Sequence, residues 1–170
     1  PTIKIEKTNI LLYITLIMIF IISLLIRITP FLYSNAELHA LDPFVQYRCA
    51  RYIYEHGFFD FMNWHDDQSW YPFGKDMGIS IYPGTPLAGL FVYYTLNFIG
   101  IPVTLLEGCV LEPAIFGSLT VIAMYFLGKS VANKKVGVVA ALFLMVSPGH
   151  IQRTYSGFFD NEALGIFLSL

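Results

Sequence analysis

The sequence predicts an all-α, polytopic membrane protein. Of its 170 residues 56% are hydrophobic and only 13% charged, its mean hydropathy is +0.62, and the run from Asn9 to Ile26 contains no charge. A soluble domain carries about 25% charged residues, so this composition excludes an ordinary soluble globule. Ten Lys and Arg against twelve Asp and Glu give a net charge of -2. That balance leaves no basic field to hold a nucleic-acid backbone, and nucleic acid is not an expected partner. The two cysteines, Cys49 and Cys109, lack metal-ligand spacing and read as packing residues.

The first span is assigned to residues 9–27, because about 17–25 apolar residues cross a bilayer. A secretory signal competes with this reading. The apolar core is longer than a signal's h-region, however, and no A-x-A-like cleavage site follows. Lys4 and Lys7 precede the run, which places its start inside and Arg27 outside. Residues 28–110 then read as a long external loop with interfacial helices. Asp42 and Pro43 are expected as N-cap and first residue of a helix to about His56, since proline lacks only an N–H that is unpaired there anyway. A shorter helix is expected near Phe58 to Trp64, and the Pro- and Gly-punctuated string from Trp70 to Pro86 reads as loop with a short extended piece.

Three apolar segments follow, Pro86–Ile101, Pro113–Leu127 and Val136–Val146. Lys129, Lys134 and Lys135 place the loop between the last two inside. The second span is therefore assigned to 111–128 and the third to 136–151, the latter lengthened through Ser147 and Ile151. Pro86–Ile101 stays outside as an interfacial or re-entrant helix. Residues 152–162 return outside, and 163–170 begin a fourth span. The chain opens on Pro1 and closes on Leu170 within an apolar run, so it reads as part of a longer protein.

This parity brings Asp42 to the same face as Asp160 and Glu162. Carboxylates converging from distant segments suit a hard divalent cation such as Mn²⁺ or Mg²⁺. Asp160 and Glu162 point about 200° apart if both are helical. Joint ligation therefore requires Asp160 to precede the helix proper. Capping is the competing role for both aspartates, and a carboxylate with two oxygens can do both. Arg48 and Arg51 share a helix face and either bind phosphate or, as favoured here, pair with loop carboxylates. Arg153 is suited to a phosphate by its guanidinium fork, with interfacial snorkelling as the alternative. His65, Asp66 and Asp67 read as a solvated turn rather than a metal site, and Glu107, Glu112 and His150 as interface residues.

Residues 41–75, LDPFVQYRCARYIYEHGFFDFMNWHDDQSWYPFGK, resemble the first external loop of the oligosaccharyltransferase catalytic subunit in its archaeal and eukaryotic forms, with the first acidic motif at Asp42. Residues 147–163, SPGHIQRTYSGFFDNEA, resemble that family's second acidic motif, a D-x-E formed by Asp160, Asn161 and Glu162. The likeness runs from about Ile10 to Leu170.

The resemblance implies a GT-C-type glycosyltransferase transmembrane module, here its N-terminal part. It implies transfer of an oligosaccharide from a dolichyl (di)phosphate carrier to asparagine in N-x-S/T sequons. Asp42 and Asp160 would be catalytic and, with Glu162, metal ligands for Mn²⁺ or Mg²⁺, and Asp42 would also contact the acceptor amide. Arg153 matches a family arginine, and its role toward the carrier phosphate is inferred from its chemistry. The family's further carboxylate and its C-terminal soluble domain with the WWDYG motif are expected beyond Leu170, so this part alone is expected to be inactive. The implied partners are the lipid-linked donor, the acceptor polypeptide and membrane lipid, with accessory subunits left open. The implied location is the cell membrane of an archaeon or the endoplasmic reticulum membrane of a eukaryote. Competing readings are another polyprenyl-phosphate-dependent enzyme, such as a protein O-mannosyltransferase, and a non-catalytic transporter or scaffold component.

Overall fold

The computed structural model describes residues 7–170, almost all of its regular structure helical. Lys4, part of the argument for orientation, lies outside the described residues. Helix α1 (Lys7–Ser34) continues past Arg27 and carries Pro30 inside it. Helix α2 (Leu41–His56) and α3 (Phe58–Met62) follow, then a two-stranded ribbon of β1 (His65–Asp66) and β2 (Lys75–Asp76) and the single turn α4 (Met77–Ser80). Next come α5 (Gly84–Phe98), α6 (Leu105–Val131), α7 (Lys134–Val146), α8 (Pro148–Gln152) and α9 (Asn161–Ser169).

Two of these helices are long and apolar enough to cross a membrane, α1 over Ile10–Ser34 and α6 over Leu105–Val131. Helix α6 begins inside the stretch assigned to the external loop. Its start is set by a capping box in which Thr104 Oγ1 accepts from the Glu107 amide while the Glu107 carboxylate accepts from the Thr104 amide. The T-x-x-E spelling was available in the sequence as a start signal. Pro113 lies within the helix rather than at its head.

The expected lengthening of the third span through Ile151 does not occur as one helix. Helix α7 stops at Val146, Ser147 is extended, and Pro148 opens α8 as its first residue. Helix α7 alone is about 20 Å long at 1.5 Å per residue, less than the ~30 Å of a bilayer's hydrocarbon.

Helix α6 is the hub, packing against α1, α5, α7 and α9. Its pairing with α7 is close enough that a Cβ on Gly137 would stand 2.5 Å from the Tyr125 carbonyl oxygen. Ile19, Val121, Tyr125, Ala141 and Met145 form one apolar cluster between α1, α6 and α7. A second cluster, Cys49, Ile53, Phe61, Met77 and Leu90, holds the segment after α1 against α5. Both cysteines are free and buried, as packing residues should be. Burial pushes the Cys49 thiol up to about 12, so it stays protonated and unreactive.

Arg27 differs most from its sequence reading. Instead of flanking the first span in solvent, its side chain is fully buried. It donates through Nε to Thr154 Oγ1 at 2.9 Å, through Nη1 to Ser23, and through Nη2 to His150 Nδ1 at 2.7 Å. His150, read as an interface residue, is buried with it. These bonds tie α1 to α8 and to the turn that precedes α9.

Candidate active site

The turn 153–160 is stitched to three other elements by main-chain bonds. The Ser156 amide donates to Arg27 O, the Gly157 amide to Val110 O, and the His39 amide to Gly157 O, each at 2.9 Å. The Phe31 amide donates to Ser156 Oγ at 3.0 Å. Gly157 occupies φ 93°, and a Cβ there would stand 2.5 Å from the Glu37 carbonyl oxygen. Both the left-handed backbone and the close approach call for glycine. Phe159 follows, fully buried with Ala50 and Cys109, and anchors the turn just before Asp160.

Asp160 is the N-cap of α9, in an extended conformation, and its Oδ1 accepts from the Asn161 amide at 2.8 Å. Its second oxygen is not used by the cap. Asp160 thus precedes the helix while Glu162 lies in the first turn, the arrangement joint ligation requires. Asp42 corrects its own expectation. The N-cap of α2 is Ala40, at φ 74°, and Asp42 sits within the first turn without a capping bond. Its carboxylate is exposed and free of that role.

One cleft of about 480 Å³ is lined by Asp42, Asp160 and Glu162 together with Val45, Gln46, Ile81 and Asn161. Trp70 and Lys75 also line it. Asn161 is fixed by Thr85 Oγ1, which donates to its Oδ1 at 2.8 Å. Glu162 Oε1 accepts from Arg153 Nη1 at 3.0 Å. The Arg153 guanidinium also lies 5.3 Å from the centre of the Phe158 ring. Arg153 therefore reaches the site through Glu162, and it does not line the cleft.

Two acceptors at this cleft are buried without a partner among the described residues, Glu162 Oε2 and Gln46 Oε1. A buried oxygen left unpaired is unfavourable by about 1–3 kcal/mol, so each marks a place where a cation or donor fits. The donor set, three carboxylates and an amide oxygen, is all hard oxygen and suits Mn²⁺ or Mg²⁺ in kind. Among the described residues, no three His, Cys, Asp or Glu side chains are gathered tightly enough to form a metal centre by themselves.

The other candidates fall away from the cleft. Arg48 forks onto Asp66, Nε to Oδ2 at 2.8 Å and Nη2 to Oδ1 at 2.7 Å, and Arg51 pairs with Glu55 at 2.8 Å, the favoured reading for both. The reading of His65, Asp66 and Asp67 as a solvated turn fails at Asp66, which is 1% exposed. Burial acts to raise its carboxyl, but the bonds from Arg48, Ser69 and the Gln68 amide outweigh that and hold it below the usual carboxylate range. His65 is exposed and pairs with Asp76 at 2.6 Å, a hydrogen bond that raises its imidazole. Glu112 is another correction, for it lies inside α6, fully buried, with neither oxygen paired among the described residues. Gln46 and Lys75 are the cleft residues the sequence reading missed. Gln46 was findable, since it stands four residues after Asp42 and so shares its helix face.

Two helices long and apolar enough to cross a bilayer and an acidic cleft assembled from two distant segments are a combination that suits a membrane enzyme. The family model described as oligosaccharyl transferase STT3, N-terminal, matches residues 10–170. The Arabidopsis thaliana dolichyl-diphosphooligosaccharide–protein glycosyltransferase subunit STT3B is 36% identical over 168 residues, 98% of this chain and 23% of its own. The Saccharomyces cerevisiae STT3 subunit is 36% identical over 132 residues, 77% of this chain and 18% of its own. The Caenorhabditis elegans subunit stt-3 is 31% identical over 164 residues, 96% of this chain and 22% of its own. The chain belongs to the STT3 oligosaccharyl transferase family, and it spans about a fifth of the length of the curated relatives it matches.

Proposed function

We propose that the protein carrying this chain is a glycosyltransferase of N-glycosylation. It moves an oligosaccharide from a dolichyl (di)phosphate carrier to the asparagine side chain of N-x-S/T sequons, within a multi-pass GT-C-type membrane module whose site faces the external or lumenal side. Family membership supports the reaction class. The single observation that carries the site assignment is the common cleft of Asp42, Asp160 and Glu162.

A carboxamide nitrogen is a poor nucleophile because its lone pair is delocalised into the carbonyl. Asp42, exposed and without a capping duty, would accept an N–H of the acceptor amide and draw the nitrogen toward attack on the sugar's anomeric carbon. Gln46 Oε1 offers a second acceptor on the same helix face. Asp160 and Glu162, with Asp42, would hold Mn²⁺ or Mg²⁺. The bound ion would supply Lewis-acid stabilisation of the departing phosphate. Arg153 orients Glu162 by a charge-assisted bond, and its remaining guanidinium donors are those available to a phosphate oxygen.

The test is glycosylation of a sequon peptide by the full-length protein with added Mn²⁺. Asp42→Ala and Asp160→Ala should each lower turnover by about a hundredfold or more, the scale of losing a group that acts on the reacting atoms. Undiminished turnover in both would refute the assignment. Modification of a peptide lacking asparagine would favour an O-directed transferase.

A further inference from the structure

Lys75 is the one cation among the residues that line the acidic cleft, where three carboxylates face it. Such a lysine would be expected to pair with a carboxylate. Among the described residues it has no carboxylate partner, and its ammonium lies instead over the Trp70 indole, 3.7 Å from the ring centre. A ring quadrupole holds a cation without neutralising it, so the charge stays available to an anion.

The position of Lys75 is tightly built. It pairs in register with Asp66 on the short ribbon, and Asp66 is clamped by Arg48 from α2. His65 and Asp76, the other register pair, are joined through their side chains. Trp70 itself sits at φ 51°, a left-handed conformation rare for a bulky residue, and remains half exposed. Strain of this kind persists where the surroundings over-determine it, and it clusters at ligand sites. Independently, Gln46 lines the same cleft while only 4% exposed, and its Oε1 has no partner among the described residues, which marks the cleft as made for a polar ligand.

We infer that Lys75, held on Trp70, is a binding residue for the phosphate headgroup of the polyprenyl carrier. The inference rests on the proposed reaction for the identity of that carrier. An anionic headgroup approaching three carboxylates is repelled unless a fixed cation offsets them. Arg153 reaches the site through Glu162 and does not line the cleft, so Lys75 is the side-chain cation that a headgroup meets there. As a compact ammonium it contacts one phosphate oxygen as a point charge and does not fork.

The experiment measures binding of dolichyl phosphate, of uncharged dolichol and of inorganic phosphate to the full-length protein in detergent. Lys75→Met should weaken dolichyl phosphate about tenfold and leave dolichol unchanged, and Lys75→Arg should stay within about threefold of the parent. Unchanged dolichyl phosphate affinity in Lys75→Met overturns the inference, as does an equal loss of dolichol, which reports a collapsed loop. An effect confined to inorganic phosphate would assign the site to a free anion and also overturn it. Loss of dolichyl phosphate in Lys75→Met, in a parent that fails to glycosylate a sequon peptide, would refute the proposed reaction while supporting this site.

Discussion

The His39 amide donates to the Gly157 carbonyl oxygen across 2.9 Å, joining the segment that leads into α2 to the turn that presents Asp160. Asp42 lies just beyond one partner and Asp160 just beyond the other. The two acidic motifs therefore share a main-chain clamp, and the distance between the carboxylates depends on it.

Gly157→Ala tests that clamp. The new methyl group meets Glu37 O at 2.5 Å and the His39 ring at 2.6 Å, on a backbone at φ 93° that disfavours alanine. We expect a loss of about 1–3 kcal/mol in stability. Transfer should fall further than the thermal melt alone accounts for, because the displaced segments carry the cleft carboxylates. Parallel melts and turnover assays check it.

Arg27→Lys tests the tether beneath the turn. A lysine ammonium cannot reach Ser23, His150 and Thr154 at once as the planar fork does. Leaving a buried acceptor unpaired should destabilise the protein by about 1–3 kcal/mol. A thermal melt unchanged by the substitution would show that the fork is not holding α8 and α1 together.

Arg153→Lys and Glu162→Gln should be non-additive in turnover. Their ion pair is partly exposed and contributes only about 0–1 kcal/mol to folding. Its larger effect is on where Glu162 points. A double-mutant cycle in peptide glycosylation should return a coupling of about 0.5–3 kcal/mol, and a coupling of zero would mean that Glu162 is oriented without Arg153.

The Arg48–Asp66 clamp predicts an acid-labile loop. The folded-state pKa of Asp66 is depressed. Its contribution is therefore complete above the ordinary carboxylate value of about 3.9 and is lost as pH falls through the lower folded value. His65 has the opposite sign, because its pKa is raised by Asp76. Its contribution is complete below about 6.5 and fades as pH rises through the folded value. Fluorotryptophan resonances of Trp64 and Trp70 should hold their positions from mildly acidic pH down to about 4 and shift only below it. In Asp66→Asn the acid transition should vanish.

Much of the architecture follows from local chemistry that a reader of the chain alone can apply. The uncharged run after Asn9 makes α1, Asp42-Pro43 marks a helix start two residues after the true one, and the D-x-E spelling marks the second motif. Those signals are visible because charge, proline geometry and apolar length act over a few neighbouring residues. The T-x-x-E at Thr104 belongs with them, since its capping box is closed within four residues.

Burial is different, because it is decided by residues far away in the chain. Nothing near Arg27, Asp66, Glu112 or His150 in sequence announces that each is enclosed, since the walls come from other helices. Whether Asp42 caps a helix or stands free turned on Ala40 taking φ 74°. The meeting of Asp42, Asp160 and Lys75 in one cleft required a main-chain bond from His39 to Gly157 and a side-chain clamp from Arg48 to Asp66, and only the folded chain brings those partners within reach.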